Sequence, residues 1–257
     1  MRQLRHIGLG AALAFGLAAC SPAPEETVAV SSEDVTLASA PTAPVAIELF
    51  TSQGCSSCPP ADRLVGELVD DPDLVIISRP VTYWDRLGWR DTLAREENTQ
   101  LQRHYAETLS RGGGRSYTPQ AVVGGRIGLV GSRRGELEAA IAEISGEQPD
   151  ISIEMEGDPE NGFRLSVNGA AESPAIVRLL ALDSSETVRI GRGENGGRSV
   201  TYTNILRHEQ DLAQYRGTAL DIDISGDLLR VEDSDRYAIV IRGEASGHIL
   251  AARYLGS

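Results

Sequence analysis

The sequence predicts an α/β domain followed by an all-β, sandwich-like domain, and three observations carry that expectation. Between residues 45 and 148, apolar runs of strand length alternate with stretches of helical spacing. Beyond Pro149, short runs alternate apolar with polar residues between Gly-containing turns. A C-x-x-C pair, Cys55 and Cys58, stands where the first strand pattern gives way to the first helix pattern.

Val45 to Phe50 is a nearly continuous apolar run, as expected of a strand buried on both faces. Ala61 to Val69 places Leu64, Val65, Leu68 and Val69 on one helical face. Leu74 to Val81 reads as a second strand. Thr92 to Leu109 reads as a helix, with Leu101, Tyr105 and Leu109 at four-residue spacing. Gln120–Val123, Gly124-Gly125 and Ile127–Val130 form a hairpin pattern with a two-residue turn. Ser132 is placed to cap a last helix with Leu137, Ala140, Ile141 and Ile144 on its apolar face, ending near Gly146. The order β-α-β-α-β-β-α is that of a thioredoxin-type sheet with helices on both faces.

After Pro149, Ile151, Ile153 and Met155 alternate with polar residues, Asn161-Gly162 marks a turn, and Phe163, Leu165 and Val167 alternate again before Asn168-Gly169. Ile176–Leu182, Thr187–Ile190, Ser199–Leu206, Ala219–Ile224 and Tyr237–Ile241 continue as short strands, the spacing of an antiparallel β-sandwich. The expected fold is thus an α/β thioredoxin-like domain over residues 44–148, followed by a β-sandwich-like domain over 149–257.

The N-terminus reads as a targeting segment. Arg2 and Arg5 precede an apolar stretch from Ile7 to Leu17 that is too short to span a bilayer. Leu17-Ala18-Ala19-Cys20 resembles the lipobox of bacterial lipoproteins, in which the cysteine is acylated. Residues 1–19 are expected to be the signal peptide and Cys20 the lipid carrier; an ordinary cleaved signal with Cys20 incidental is the alternative. Residues 20–43, rich in Ala, Ser, Thr, Pro and Glu, read as a disordered tether. The expected location is the bacterial cell envelope, lipid-anchored and facing the periplasm, with Ser21 favouring the outer membrane. Formal net charge is −13, and all 24 basic residues are arginines. Such a chain repels phosphate backbones, so nucleic acid is not an expected partner.

With Cys20 assigned to lipid, Cys55 and Cys58 are the thiols left in an exported chain. A disulfide between them closes almost no loop and constrains the unfolded chain little, which weighs toward reactivity over stapling. Cys55, at a helix N-terminus, is expected to be the exposed, acidic nucleophile, and Cys58 the thiol that resolves a mixed disulfide. Pro59 and Pro60 suit a first helical turn, which needs no N–H donor. Thr118-Pro119, just before a strand, is expected to be a cis peptide that presents backbone to substrate.

Glu48, inside the apolar first strand, has two readings: an outward polar residue near an edge, or a buried carboxylate that shuttles a proton to Cys58. The segment Tyr83–Asp91 holds Trp84 and Trp89 and should reach the sheet edge of the dithiol. It is either a peptide-binding wall or a core plug. On the first reading Tyr83, Trp84, Trp89 and Tyr117 bind substrate. Gly191–Arg198 is either a long turn or a charged loop that packs on the first domain or a partner.

The run from Glu48 to Asp62, the Tyr83–Trp89 segment, Tyr117-Thr118-Pro119-Gln120, and Gly193-Glu194-Asn195 with Gly197-Arg198 together resemble a bacterial family of secreted, thioredoxin-like proteins, the domain-of-unknown-function family 1223. The likeness runs from Val45 to the C-terminus. It implies the thioredoxin-like fold and an exported location, and no activity. Arg79-Pro80-Val81-Thr82 departs from the His-Val-Asp-like sequence expected before Tyr83.

The expected function is a cell-envelope thiol–disulfide oxidoreductase acting on exported protein thiols and disulfides, with a separate redox partner. Its redox carrier would be the Cys55–Cys58 disulfide, with no organic cofactor and no metal. The alternatives are a non-catalytic binding or chaperone lipoprotein, and copper or zinc handling by the two cysteines with His104.

Overall fold

A computed structural model describes residues 43–256. The leader, Cys20 and nearly all of the tether expected at 20–43 lie outside the described residues. The described residues all belong to one compact unit.

The elements from Val45 to Glu147 follow the expected order. They are β1 (Val45–Thr51), α1 (Pro59–Leu68), β2 (Leu74–Pro80), α2 (Glu96–Thr108), β3 (Gln120–Val123), β4 (Ile127–Val130) and α3 (Arg134–Glu147). Gly124 and Gly125 both take positive φ, as the two-residue hairpin turn requires. α3 begins after Arg133 rather than at Ser132 and has no side-chain cap.

The remaining strands are β5 (Ile151–Asp158), β6 (Gly162–Gly169), β7 (Ala175–Arg189), β8 (Ser199–Tyr215), β9 (Leu220–Ser225), β10 (Arg236–Gly243) and β11 (Ile249–Tyr254). Eight strands make one mixed sheet in the order β11-β10-β7-β8-β2-β1-β3-β4, and β5-β6-β9 make a second, three-stranded sheet.

This overturns the expected fold class. The structure is mostly β, and it is not an α/β thioredoxin-like domain followed by an all-β one. The strand at the edge of the first half, β2, pairs in parallel with β8 through Ser78 and Ile205, so one sheet runs through both halves. Side chains complete that seam. Ser78 Oγ donates to Thr203 O at 2.6 Å, Asn204 Nδ2 donates to Ile76 O at 3.1 Å, and Ile76 N donates to the Tyr254 hydroxyl at 2.8 Å. Asn204 has φ 50°, a left-handed conformation that Asn tolerates, and this turns its amide toward β2.

The halves also share a core. Ala46, Val75 and Ile77 pack with Leu180, Leu182, Leu206, Ala238 and Val240. The small sheet covers β7, β10 and β11 through Ile153, Phe163, Leu165, Val177, Ile239 and Ala251. On β1, alternate residues face opposite sides, as a strand dictates. Val45, Ile47 and Leu49 meet α1 and α3, whereas Ala46 and Phe50 belong to the clusters on the other face.

Candidate functional site: a caged dithiol

The chain leaves β1 at Thr51 and makes two tight turns, with Cys55 N donating to Ser52 O and Cys58 N to Cys55 O, both at 3.2 Å. Helix α1 starts at Pro59 with Cys58 as its N-cap. Ala61 N and Asp62 N bond Cys58 O at 2.8 and 3.1 Å. The prolines therefore sit in the first turn, where a missing N–H is harmless. Cys58, and not Cys55, stands at the helix end.

Both cysteines are free thiols with no exposed surface. This corrects the expectation that Cys55 is the exposed sulfur. Ser56 and Ser57 are exposed in its place, and the Ser57 hydroxyl lies 3.3 Å from Cys55 Sγ. The Cys55 thiol is nevertheless pulled down to about 6. The hydrogen bond from Cys58 does most of this, opposed by burial and helped by Ser57 and the Thr118 hydroxyl. Cys58 is pushed far above the ordinary thiol range by burial, by sharing its proton with Cys55, and by the charges of Cys55 and Asp62. The acidity of Cys55 thus comes from local donors, with a second sulfur as the main one.

Asp62 lies one helical turn beyond Cys58 and is buried. Thr51 Oγ1 donates to its Oδ1 at 2.7 Å, and Oδ2 has no partner among the described residues. Burial pushes its carboxyl up to about 8. A carboxyl with one free oxygen and a pKa in that range can take a proton from a neighbouring thiol. The sequence reading assigned no role to Asp62, although its place four residues after Cys58 on a helix puts both on one face.

Glu48 sits across the sheet. Thr51, which holds Asp62, shares the β1 face of Ile47 and Leu49, while Glu48 has the opposite parity. Arg79 Nε and Arg242 Nη2 donate to Glu48 Oε1 at 2.6 and 2.8 Å, and the Tyr105 hydroxyl donates to Oε2. Burial alone would raise this carboxyl, but Arg242 and Arg79 hold it below the usual carboxylate range. Glu48 stays ionised, on the face away from α1, so it is neither the proton shuttle nor the outward edge residue of the sequence readings.

Thr118-Pro119 is a cis peptide. Trp84 Nε1 donates to Thr118 Oγ1 at 2.8 Å, and Trp84 packs so close to Gly54 that a Cβ there would stand 3.0 Å from Trp84 Cβ. Tyr83 stacks beside Trp84 with ring centroids 6.5 Å apart, and its buried hydroxyl is pushed up to about 12 by burial. The Tyr117 carbonyl accepts from Gln102 Nε2 at 2.6 Å, which fixes the segment before the cis bond. Tyr83, Trp84 and Thr118 thus gather beside the dithiol.

Trp89 does not join them. Its Nε1 donates to Gln53 Oε1 at 2.8 Å, and its ring packs with Ile190 and Val200. Gln53 N in turn donates to Asp91 Oδ2 at 2.8 Å. The tryptophan segment therefore divides, one ring toward the cis peptide and the other plugging a core.

The loop 191–198 between β7 and β8 closes the cage. Asn195, fully buried, donates through Nδ2 to Gln53 O and Cys55 O at 3.0 and 2.8 Å, and Glu194 Oε2 accepts from Ser56 N at 3.1 Å. Of the two sequence readings of this loop, the structure takes packing against the first half. Among the described residues, no group of three His, Cys, Asp or Glu side chains is arranged to hold a metal ion. His104 lies on α2 beside Tyr105, with its Nε2 against Gly247.

The mixed sheet thus carries a buried C-x-x-C, with the Asp62 carboxyl one turn beyond the second thiol and the Thr118-Pro119 cis peptide in the same region. The chain belongs to the family described as "Protein of unknown function (DUF1223)", whose model matches residues 46–242. Among solved structures, an X-ray crystal structure of a protein from Agrobacterium tumefaciens is similar, with TM-score 0.70 and 28% identity over 84% of this chain and 96% of that one. HBP35 of Porphyromonas gingivalis is similar in fold, with TM-score 0.56 and 12% identity over 83% of this chain and 74% of that one. No curated protein matches.

Proposed function

We propose that the protein is a thiol–disulfide oxidoreductase of the bacterial cell envelope, held to the membrane through Cys20 and acting on exported proteins. The observation that carries this is the geometry of a free C-x-x-C at the start of α1, with the Ser57 hydroxyl 3.3 Å from Cys55 Sγ and a buried Asp62 carboxyl one turn beyond Cys58 whose Oδ2 has no partner among the described residues. The lowered Cys55 and raised Cys58 accord with it, since exchange chemistry uses one thiolate to attack and a second thiol to resolve.

The steps balance as two displacements. The Cys55 thiolate attacks a substrate disulfide, forming a Cys55–substrate bond and releasing the other substrate sulfur as thiolate. Asp62 in its ionised form then takes the Cys58 proton, Cys58 attacks Cys55 Sγ, and the second substrate sulfur leaves with the electron pair. Two electrons pass from the dithiol to the substrate, and the reverse sequence delivers a disulfide. Stabilising the Cys55 thiolate favours the reduced form, which makes the disulfide form the better oxidant. Tyr83, Trp84 and Thr118 flank the sulfur and form the substrate wall. Because Cys55 is covered, a substrate reaches it only when the exposed Ser56–Ser57 segment moves aside.

A Cys58→Ala chain expressed in cells tests this. Mixed disulfides should accumulate through Cys55 and vanish in the Cys55→Ser, Cys58→Ala double variant. An absence of trapped adducts, with the protein folded and exported, rules the reading out.

A further inference from the structure

The site contains a residue that comes from the far end of the chain. Asn195 lies 140 positions after Cys55, is fully buried, and spends both amide hydrogens on carbonyls of the dithiol loop, Gln53 O and Cys55 O. The Cys55 carbonyl also accepts from Cys58 N, so it is the hinge atom of the turn that sets one cysteine against the other. The amide of Asn195 is itself oriented, because Arg198 Nη1 donates to its Oδ1 at 3.1 Å. With a cation fixed on the oxygen, the nitrogen must face the loop.

The loop that presents Asn195 is closed by its own backbone. Ile190 N to Arg198 O, Gly197 N to Ile190 O and Gly196 N to Gly193 O close it internally. It seats on Trp89 because residue 191 is Gly: a Cβ there would lie 2.9 Å from Trp89 Cζ3. Gly193, at φ 77°, makes the turn toward Glu194.

We propose that Asn195 is a positioning residue for Cys55: oriented by Arg198, its amide clamps the Gln53–Cys58 turn so that the two sulfurs face each other. It touches neither sulfur and acts through the backbone. Without the clamp the Cys55 carbonyl keeps one donor in place of two, the turn loosens, and Cys58 is held against Cys55 for less of the time. This deepens the oxidoreductase reading, yet its test does not need a substrate.

The test is the pH dependence of Cys55 alkylation by iodoacetamide in the full chain, mapped to Cys55 by mass spectrometry. Asn195→Ala, and Asn195→Asp, which keeps the size and loses the donors, should each raise the midpoint by about one pH unit or more toward the ordinary thiol value. Arg198→Ala, at an exposed position, should move it the same way by about half a unit. A merely structural role would lower the melting temperature and leave the midpoint in place. The proposal is overturned if Arg198→Ala leaves the midpoint within about 0.2 unit of wild type and the Asn195 variants are either unshifted or unfolded. Trapping through Cys58→Ala reports on the oxidoreductase reading alone, so either idea can fail without the other.

Discussion

Strand β1 carries a buried carboxylate environment on each face, and the two are opposite in kind. On one face Glu48 is surrounded by Arg79, Arg242 and Tyr105, and both its oxygens are satisfied. On the other, among the described residues, Asp62 has a single hydroxyl donor, one oxygen without a partner, and no arginine bonded to it. Desolvation raises both carboxyls, and only Glu48 meets enough positive charge to be pulled back down. One carboxylate is spent on holding the fold, and the other is left with a proton to exchange.

The largest effect should come from breaking the first. Glu48→Gln leaves two buried guanidinium groups facing a neutral amide, which should cost about 3–5 kcal/mol in denaturant unfolding. The Cys55 alkylation midpoint should not move. If Glu48→Gln instead shifts that midpoint and spares stability, the two faces do not divide as described.

Next comes Asp62→Asn, which should slow closure of the Cys55–Cys58 disulfide from a mixed disulfide by about 100-fold, as loss of a general base does. Rapid mixing with a small aromatic disulfide measures it, and an unchanged rate removes Asp62 from the mechanism. The same variant carries a pH signature in stability. Asp62 in the fold holds its proton up to about 8, whereas an unfolded aspartate loses it near about 3.9. The folded state therefore binds the extra proton between those values. Its contribution to stability is full at low pH and drains away as pH rises toward 8, so wild type should lose stability against Asp62→Asn across that window, by up to about 5 kcal/mol.

A smaller change is expected from Ser57→Ala, which deletes one donor to Cys55 and should raise its alkylation midpoint from near 6 by about half a unit to one unit. Smallest is Trp84→Phe. It removes the bond to Thr118 and should cost about 1 kcal/mol of stability, with a modest rise in KM for a disulfide peptide and little change in kcat. An effect on kcat alone would argue against Trp84 as part of the substrate wall.

Much of the first half was legible because its signals are local. Apolar runs gave β1 and β2, paired glycines gave the β3–β4 turn, and the X–Pro bond at 119 marked the cis peptide. The shared sheet was hidden because its evidence is not local. β7 read as two short strands, Ile176–Leu182 and Thr187–Ile190, where one strand runs Ala175–Arg189. In β8 the stretch Arg207–Gln214 is almost wholly polar and offers no alternation to read. The seam to β2 rests on one strand pair and a few side-chain bonds, which no spacing rule reveals.

The site was legible to the same degree. The two sulfurs and Thr118-Pro119 announce themselves, but Glu48 was ambiguous because parity says which face it takes and not what waits there. Arg242, which fixes its charge, lies on β10. Asn195 stood in an odd glycine-rich stretch and in one of the family motifs, and neither says which backbone it holds.

The clamp on the dithiol has a consequence for synthesis. While the first hundred and fifty or so residues emerge, both thiols are present, but the segment that pins them has not been made. A stalled nascent chain of that length should be labelled at both cysteines by a bulky maleimide, and release of the remainder should protect Cys58 and leave Cys55 as the slower site of labelling. The vulnerable interval for stray oxidation therefore ends with the arrival of one late hairpin.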